Sequence, residues 1–162
     1  MHVFPPIFRI VARIAADYGI ASIRLPRERA RLRHAGSLSR FVESLALFSM
    51  AVVDQMWLSK EELSYCDSTL GMLPSGHLQE ETLAEILSRL GEGVTEIICH
   101  PGLEDPLLLR DYSWWNYHWE AELSALTSGR IKSLIQDLNI ELTNWRAPIP
   151  PPSASQVAGE AR

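Results

Sequence analysis

Residues 79–102, QEETLAEILSRLGEGVTEIICHPG, contain the alternation of elements that decides the fold. The first half repeats apolar residues at the spacing of one helix face, and Gly91 follows the last of them. These residues are Leu83, Ile86, Leu87 and Leu90. The run GVTEIIC at 93–99 is typical of a buried strand, and the His-Pro-Gly turn at 100–102 closes it. A helix that leads into a buried strand is typical of a largely parallel α/β sheet.

The flanking segments add four helices and two short strand-like runs. The first helix begins at a proline pair, where a missing N–H costs nothing, and ends near Gly19. Its apolar residues, like those of the later helices, recur every three or four positions. The predicted helices cover residues 5–18, 37–57, 115–126 and 131–138, and the strand-like runs cover 21–25 and 140–145.

The small number of strands suggests that the sheet is not complete within this chain. A parallel sheet is buried on both faces and needs several strands, whereas the sequence offers three and has none ahead of its first helix. The pattern therefore predicts the back portion of a larger α/β fold whose N-terminal strands are missing. We expect one domain over 1–146 and a disordered Pro-rich tail over 147–162.

The composition restricts the classes of partner and compartment. The formal net charge of −5 argues against nucleic acid as a main partner, because phosphate binding needs a basic surface. Cys66 and Cys99 form no metal-type or redox pair, which favours a reduced, cytoplasmic setting. No secretory signal opens the sequence, and its longest apolar run is too short to span a bilayer. We therefore expect a soluble protein.

Candidate functional residues follow from the rule that parallel α/β folds gather them at the carboxyl ends of strands. His100 is the strongest, because imidazole exchanges protons near neutral pH, although bonding to a loop carbonyl explains it equally well. Arg24 could hold an anionic or hydroxyl-rich substrate, or it could pair with an acidic side chain. Asp67 could line a pocket or stabilise a turn. His2 occupies the position that a strand end would have ahead of the first helix.

An aromatic cluster, DYSWWNYHW, occupies residues 111–119 and contains three of the five tryptophans. Flat aromatic faces often bind sugars. Packing in a core or an interface is the more common use of such residues, and we expect it here.

Five short motifs in a fixed order give the sequence a resemblance to a known family. They are the end of a D-S-H-x-H-x-H-x-x-P run, an R-L-P strand end, a Gly-rich segment, a T-E-…-C-H-P-G strand end, and a helix with E-L-x-x-L-T-S. Through them the sequence resembles the YdjC-like carbohydrate deacetylases, also called the ChbG family, and within it the hopanoid-biosynthesis-associated group HpnK. The matching residues are 2–5, 24–26, 71–76, 95–102 and 122–128.

The resemblance implies an irregular, incomplete α/β barrel of the glycoside hydrolase and deacetylase kind, of which this chain would be the C-terminal part. Met1 would then be an internal residue of a longer protein. The implied reaction removes the N-acetyl group from an amino sugar with the help of a divalent metal, magnesium or zinc. The family's metal ligands match positions ahead of Met1, so the resemblance assigns no ligand within this chain, and His2 would at most support one. His100 matches the family histidine best placed to protonate the departing amine.

The hopanoid group implies a specific substrate, N-acetylglucosaminyl hopanoid, in which the amino sugar is attached to a large apolar lipid. One face of the helix Phe41–Trp57, carrying Met50 and Met56, could guide this lipid or touch the inner membrane surface. A core helix is the more common use of such a run. Arg24, Asp67 and Trp57 are the expected substrate-binding residues.

Two further interpretations stay open. A fragment without the metal ligands could be non-catalytic and stable only through association, including homo-oligomers, since an exposed sheet edge favours pairing. An unrelated hydrolase could instead use His100 together with Asp67 or Glu104. On the favoured interpretation, the 162 residues alone neither hold a catalytic metal nor remove acetyl groups.

Overall fold

The computed structural model describes residues 4–28, 38–58, 63–146 and 149. The chain forms two compact units: Met1–Leu70, Glu92–Glu96 and Thr143–Arg162 make the first, and Gly71–Gly91 and Ile97–Leu142 make the second. The elements in order are α1 (Pro5–Asp17), α2 (Leu38–Leu58), β1 (Ser68–Leu70), α3 (Glu80–Leu87), β2 (Thr95–Ile97), α4 (Pro106–Tyr112), a 3-10 turn (Ser113–Trp115), α5 (Trp119–Thr127) and α6 (Gly129–Asp137). No helix in these ranges is long and apolar enough to cross a membrane.

The core of the first unit lies between α1 and α2. Pro5 and Pro6 begin α1 as predicted, because the first turn of a helix leaves their missing N–H groups without consequence. The buried face of α1 contributes to one apolar cluster with residues of α2 and of the following loops. The cluster consists of Phe8, Ala12, Ala15, Leu25, Ala51, Leu58, Leu63 and Tyr65.

The core of the second unit lies among α3, α5 and α6. Ser128 begins α6 by accepting hydrogen bonds from the backbone N–H groups of Arg130 and Ile131. Asp105 caps α4 in the same way, and α4 has no buried residue. The buried cluster consists of Leu78, Leu83, Ala84, Leu87, Ala125 and Ile131.

The strands are few and short. β1 and β2 pair as a small parallel sheet, and the hydroxyl groups of Ser68 and Thr95 hydrogen bond across it at 2.8 Å. The predicted strand at 21–25 is reduced to a single parallel bridge between Ser22 and Ser64. The prediction of a mixed α/β fold is confirmed, with strands shorter than the apolar runs suggest.

The predicted strand at 140–145 is wrong, because these residues have no regular structure. Asn139 adopts a left-handed conformation (φ 53°) directly after α6, and the chain that follows leaves Leu142 75% exposed. A strand is stable only with a hydrogen-bonded neighbour, and the described sheet consists of β1 and β2 alone.

The predicted tail, 147–162, lies outside the described residues except for Ile149, which is buried.

A buried carboxylate on α2 makes the stability of the first unit depend on pH. The Asp54 side chain is fully buried, neither of its oxygens has a hydrogen-bond partner among the described residues, and this burial raises its pKa from 3.8 to about 6. Between these values the folded state keeps a proton that the unfolded state has released. The free energy of unfolding therefore falls as the pH rises through this window, and stays low above it.

We expect Asp54→Asn, which removes the ionisation, to be more stable than the wild type above about pH 7, by about 1 kcal/mol. The advantage should shrink as the pH falls from about 6 toward 3.8, because below that window the Asp54 carboxyl is protonated in both the folded and the unfolded state. Urea unfolding at several pH values measures it. A difference that is the same at all pH values would contradict this assignment.

Candidate functional site

The loop after β2 places His100 in the second unit. The side chain is half-buried, and its Nδ1 atom is shielded from solvent without a hydrogen-bond partner in the described part of the chain. The imidazole lies against the ring of Tyr117, with centroids 5.0 Å apart and planes inclined by 55°. A shielded polar atom without a partner needs an explanation in a folded protein, and catalysis is one of the accepted explanations.

The buried carboxylate of Glu122 fixes the backbone at His100. One oxygen accepts a hydrogen bond from the backbone N–H of His100, and the other accepts one from the N–H of Leu78 at 3.2 Å. The side chain is completely buried on the face of α5 that also carries Trp119 and Ala125. Glu122 therefore ties the loop before α3 to the loop that carries His100. The pKa of the nearby Cys99 thiol is raised mainly by the burial of that thiol and secondly by the negative charge of Glu122.

Glu122 was not predicted from the sequence as a functional residue, although it is the first residue of a helix motif. The available signal was an acidic residue three positions from both Trp119 and Ala125, on what periodicity predicts to be the core face of a helix. A buried charge at such a position must be compensated by hydrogen bonds.

The Gly-rich segment before α3 packs closely on Tyr117. Gly76 has φ +80°, and a Cβ atom on it would overlap the ring of Tyr117, so only glycine fits without displacement. The Ser75 and Tyr117 hydroxyl groups hydrogen bond at 2.9 Å, and the Gly76 carbonyl accepts from the His118 N–H at 2.8 Å. Tyr117, which contacts His100 on one side, is therefore fixed on the other.

Three of the motifs found in the sequence thus meet around His100: the segment 71–76, the CHPG strand end and the helix motif that starts with Glu122. The family model described as "YdjC-like protein" matches residues 1–137. The chain belongs to the YdjC-like family. The family predicted from the sequence motifs is confirmed.

Curated relatives of this YdjC-like chain agree with that assignment. The chain is 27% identical over 135 residues to a carbohydrate deacetylase from Thermoanaerobacter pseudethanolicus, covering 81% of the chain and 54% of the relative. It is 27% identical over 146 residues to a chitooligosaccharide deacetylase from Klebsiella pneumoniae, covering 90% of the chain and 49% of the relative. The chain therefore spans about half the length of the curated relatives it matches.

A solved structure shows the same fold. The chain superposes with a TM-score of 0.55 on a protein from Enterococcus faecalis V583, described as a candidate cellobiose-phosphate cleavage protein. The match covers 86% of the YdjC-like chain and 46% of the other chain, at 21% identity. At this identity the likeness supports the fold alone.

Arg24 lies in the first unit and forms an ion pair. Its Nε and Nη2 atoms donate to the Glu96 carboxylate at 2.6–2.9 Å, and this hydrogen bonding is the main reason that the pKa of Arg24 is raised. The Glu96 side chain is only 9% exposed, whereas that of Arg24 is 45% exposed. This geometry matches the ion-pair alternative, and substrate binding by Arg24 stays a prediction.

Asp67, also in the first unit, holds the turn that leads into β2. Its Oδ2 accepts from the Val94 N–H at 2.7 Å, and its carbonyl accepts from Arg27 at 3.1 Å. Gly93, with φ +101°, lies so close that a Cβ atom would be 2.5 Å from Oδ2. Asp67 Oδ1 is buried without a partner among the described residues, and the pocket role of Asp67 stays a prediction.

We expect Gly93→Ala to destabilise the protein by about 1–2 kcal/mol, because it combines a strained backbone with a clash against the Asp67 carboxylate. Gly91→Ala is the matched control, since a Cβ atom there meets nothing within 4 Å. Thermal unfolding of both variants measures the difference, and equal stabilities would contradict the close contact.

The remaining predicted residues are distributed along the chain. Trp57 is half-buried on α2 in the first unit, and the guanidinium of Arg9 lies 3.8 Å from its ring centroid. His2 and the side chain of Met56 lie outside what the structure describes. Glu104 is exposed in the second unit, and its N–H donates to Glu120.

Within the described ranges, no three side chains of histidine, cysteine, aspartate or glutamate form a group suited to a metal ion.

Proposed function

We propose that this chain contributes His100 to an enzyme that removes the N-acetyl group from an amino sugar. The observation that carries the proposal is the fixed position of His100 after β2, held by Glu122 beneath it and by Tyr117 beside it. Membership of the YdjC-like family and the names of the two curated relatives support the reaction class.

His100 acts in the second half of the reaction. Water adds to the acetamide carbonyl carbon, and the C–N bond of the resulting tetrahedral intermediate then breaks to give acetate and the free amine. The nitrogen must gain a proton as it departs, because an amide anion is too basic to leave near neutral pH. An imidazolium at His100 supplies this proton, and the fixed backbone keeps the ring in place for the transfer.

The resemblance also implies a divalent cation, magnesium or zinc, but the described residues do not fit such an ion, since they form no group of three suitable side chains. We propose that the metal ligands come from the part of the enzyme that corresponds to the other half of the relatives' length.

The amino sugar is attached to a larger group, and two groups have support. The HpnK resemblance favours a hopanoid lipid, and the exposed apolar residues Val42, Leu45, Val52 and Val53 on α2 could contact it or the inner membrane surface. The Klebsiella pneumoniae relative, a chitooligosaccharide deacetylase, favours further sugars.

Acetate release tests the proposal directly. The 162-residue chain and a form extended by any in-frame upstream codons are incubated with N-acetylated chitooligosaccharides and with N-acetylglucosaminyl lipid, with added magnesium or zinc. We expect the extended form to release acetate and the 162 residues alone to release none. Absence of acetate from every substrate with the extended form would reject the function.

A further inference from the structure

A row of aromatic rings leads from His100 to the surface of the second unit. The Tyr117 ring contacts His100, the Trp115 ring lies 5.4 Å from Tyr117, and the Trp114 ring lies 5.5 Å from Trp115. Exposure increases along the row, from half-buried Tyr117 through Trp115 at 41% to Trp114 at 76%. Packing in a core or an interface was expected for this cluster; Trp119 is buried, whereas Trp114 and Trp115 are exposed in this chain.

The outer rings are held in defined orientations although they are exposed. The indole Nε1 of Trp114 donates to the carbonyl of Asp111 at 3.1 Å, and Trp115 packs between Trp114 and Tyr112, whose centroid is 5.2 Å away. Asn116, in a left-handed conformation, turns the chain from the 3-10 turn back toward Tyr117. A large aromatic ring fixed in an open position is prepared to stack on a ligand at little cost in side-chain entropy.

The surroundings of the outer rings are polar. Asp111, to which Trp114 is bonded, pairs through its carboxylate with Arg110 at 2.7 Å, and both side chains are at least half exposed. An apolar ligand covering this pair would remove it from water without replacing its hydrogen bonds. A sugar has a C–H face that stacks on an aromatic ring and hydroxyl groups that bond to charged neighbours, so it satisfies both features.

We propose that Trp114 and Trp115 form a binding site for a second sugar residue, linked to the amino sugar that is deacetylated near His100. This inference rests on the proposed function. Of the two groups considered there, a lipid or further sugars, it favours further sugars. The exposed leucines of α4, Leu107 and Leu109, would favour an alkyl chain instead, and the experiment treats that as a competing outcome.

The test compares three substrates in the active protein: N-acetylglucosamine, its β-1,4-linked trimer, and its octyl glycoside. Trp114→Ala should lower kcat/KM for the trimer roughly tenfold, the scale of one aromatic contact, and change that for the monosaccharide by less than about twofold. Trp114→Phe, which keeps an aromatic face, should restore most of the loss. Trp145→Ala is the matched control, because Trp145 is an exposed tryptophan (42%) of the first unit.

Each result decides between the alternatives. Equal losses for monosaccharide and trimer, or equal behaviour of Trp114→Ala and Trp145→Ala, would overturn the second-sugar site and leave the proposed function intact. A loss confined to the octyl glycoside would assign the rings to an apolar group and overturn the sugar assignment. A wild-type protein that deacetylates none of the three would overturn the proposed function and the inference with it.

Discussion

His100→Gln is expected to lower kcat for acetyl removal by about 10²–10⁴-fold, the usual contribution of a positioned general acid. Glutamine has a similar size and can hydrogen bond, but its side chain cannot deliver a proton to a departing amine near neutral pH. KM should change little, because the backbone contact with Glu122 does not depend on the side chain at position 100. Acetate release as a function of substrate concentration separates the two constants.

His118→Gln is the matched control, because His118 is an exposed histidine of the same unit, and the bond to Gly76 uses its backbone N–H. Its kcat should remain within about twofold of the wild type. Thermal unfolding of both variants shows whether the fold is intact. A correctly folded His100→Gln enzyme with nearly full kcat would remove the proton-donor role.

The largest effect on stability is expected from Glu122→Ala. The truncation leaves the N–H groups of Leu78 and His100 buried without their acceptor and opens a cavity beneath α5. Each unpaired group costs about 1–3 kcal/mol, so the free energy of unfolding should fall by roughly 3–5 kcal/mol. Urea unfolding measures this loss.

Two further variants sharpen this prediction. Glu122→Gln keeps the volume but only one acceptor oxygen, so its NH2 group faces a backbone donor and the loss should be intermediate. Glu120→Ala removes an exposed carboxylate of the same helix that accepts one bond from Glu104, and should cost less than about 1 kcal/mol. Equal losses at positions 120 and 122 would show that the hydrogen bonds from Leu78 and His100 to Glu122 contribute little to stability.

The elements predicted correctly from the sequence are those whose start, stop and periodicity signals agree with how the element packs in the fold. α1 has a proline pair at its start and a regular apolar face, and α3 has Gly91 shortly after its last apolar residue. α4 was missed, although Asp105-Pro106 is a good start signal, because its three leucines are consecutive and show no helix-face spacing, and none of them is buried. The run at 140–145 has strand-like residues, but tertiary structure provides no described strand beside it.

The candidate site was predicted only where position along the chain is informative. His100 follows directly from the strand before it, and its place in the loop after β2 agrees with that reasoning. Glu122 is 22 residues away, so its role as an acceptor for the His100 backbone depends on how α5 packs. The exposure of Trp114 likewise depends on which side of the 3-10 turn faces the core. Such pairings are properties of the tertiary fold and have no signal in a single sequence.

The contact between Gly76 and Tyr117 has a consequence for how this protein can evolve. Because the two residues share one small volume, a side chain gained at position 76 must be matched by a smaller residue at position 117. The altered residue would in turn lose its contact with the His100 imidazole, the proposed proton donor. Compensating double changes at these positions should therefore be rare among active homologues, and common only in lineages where the chemistry has been lost.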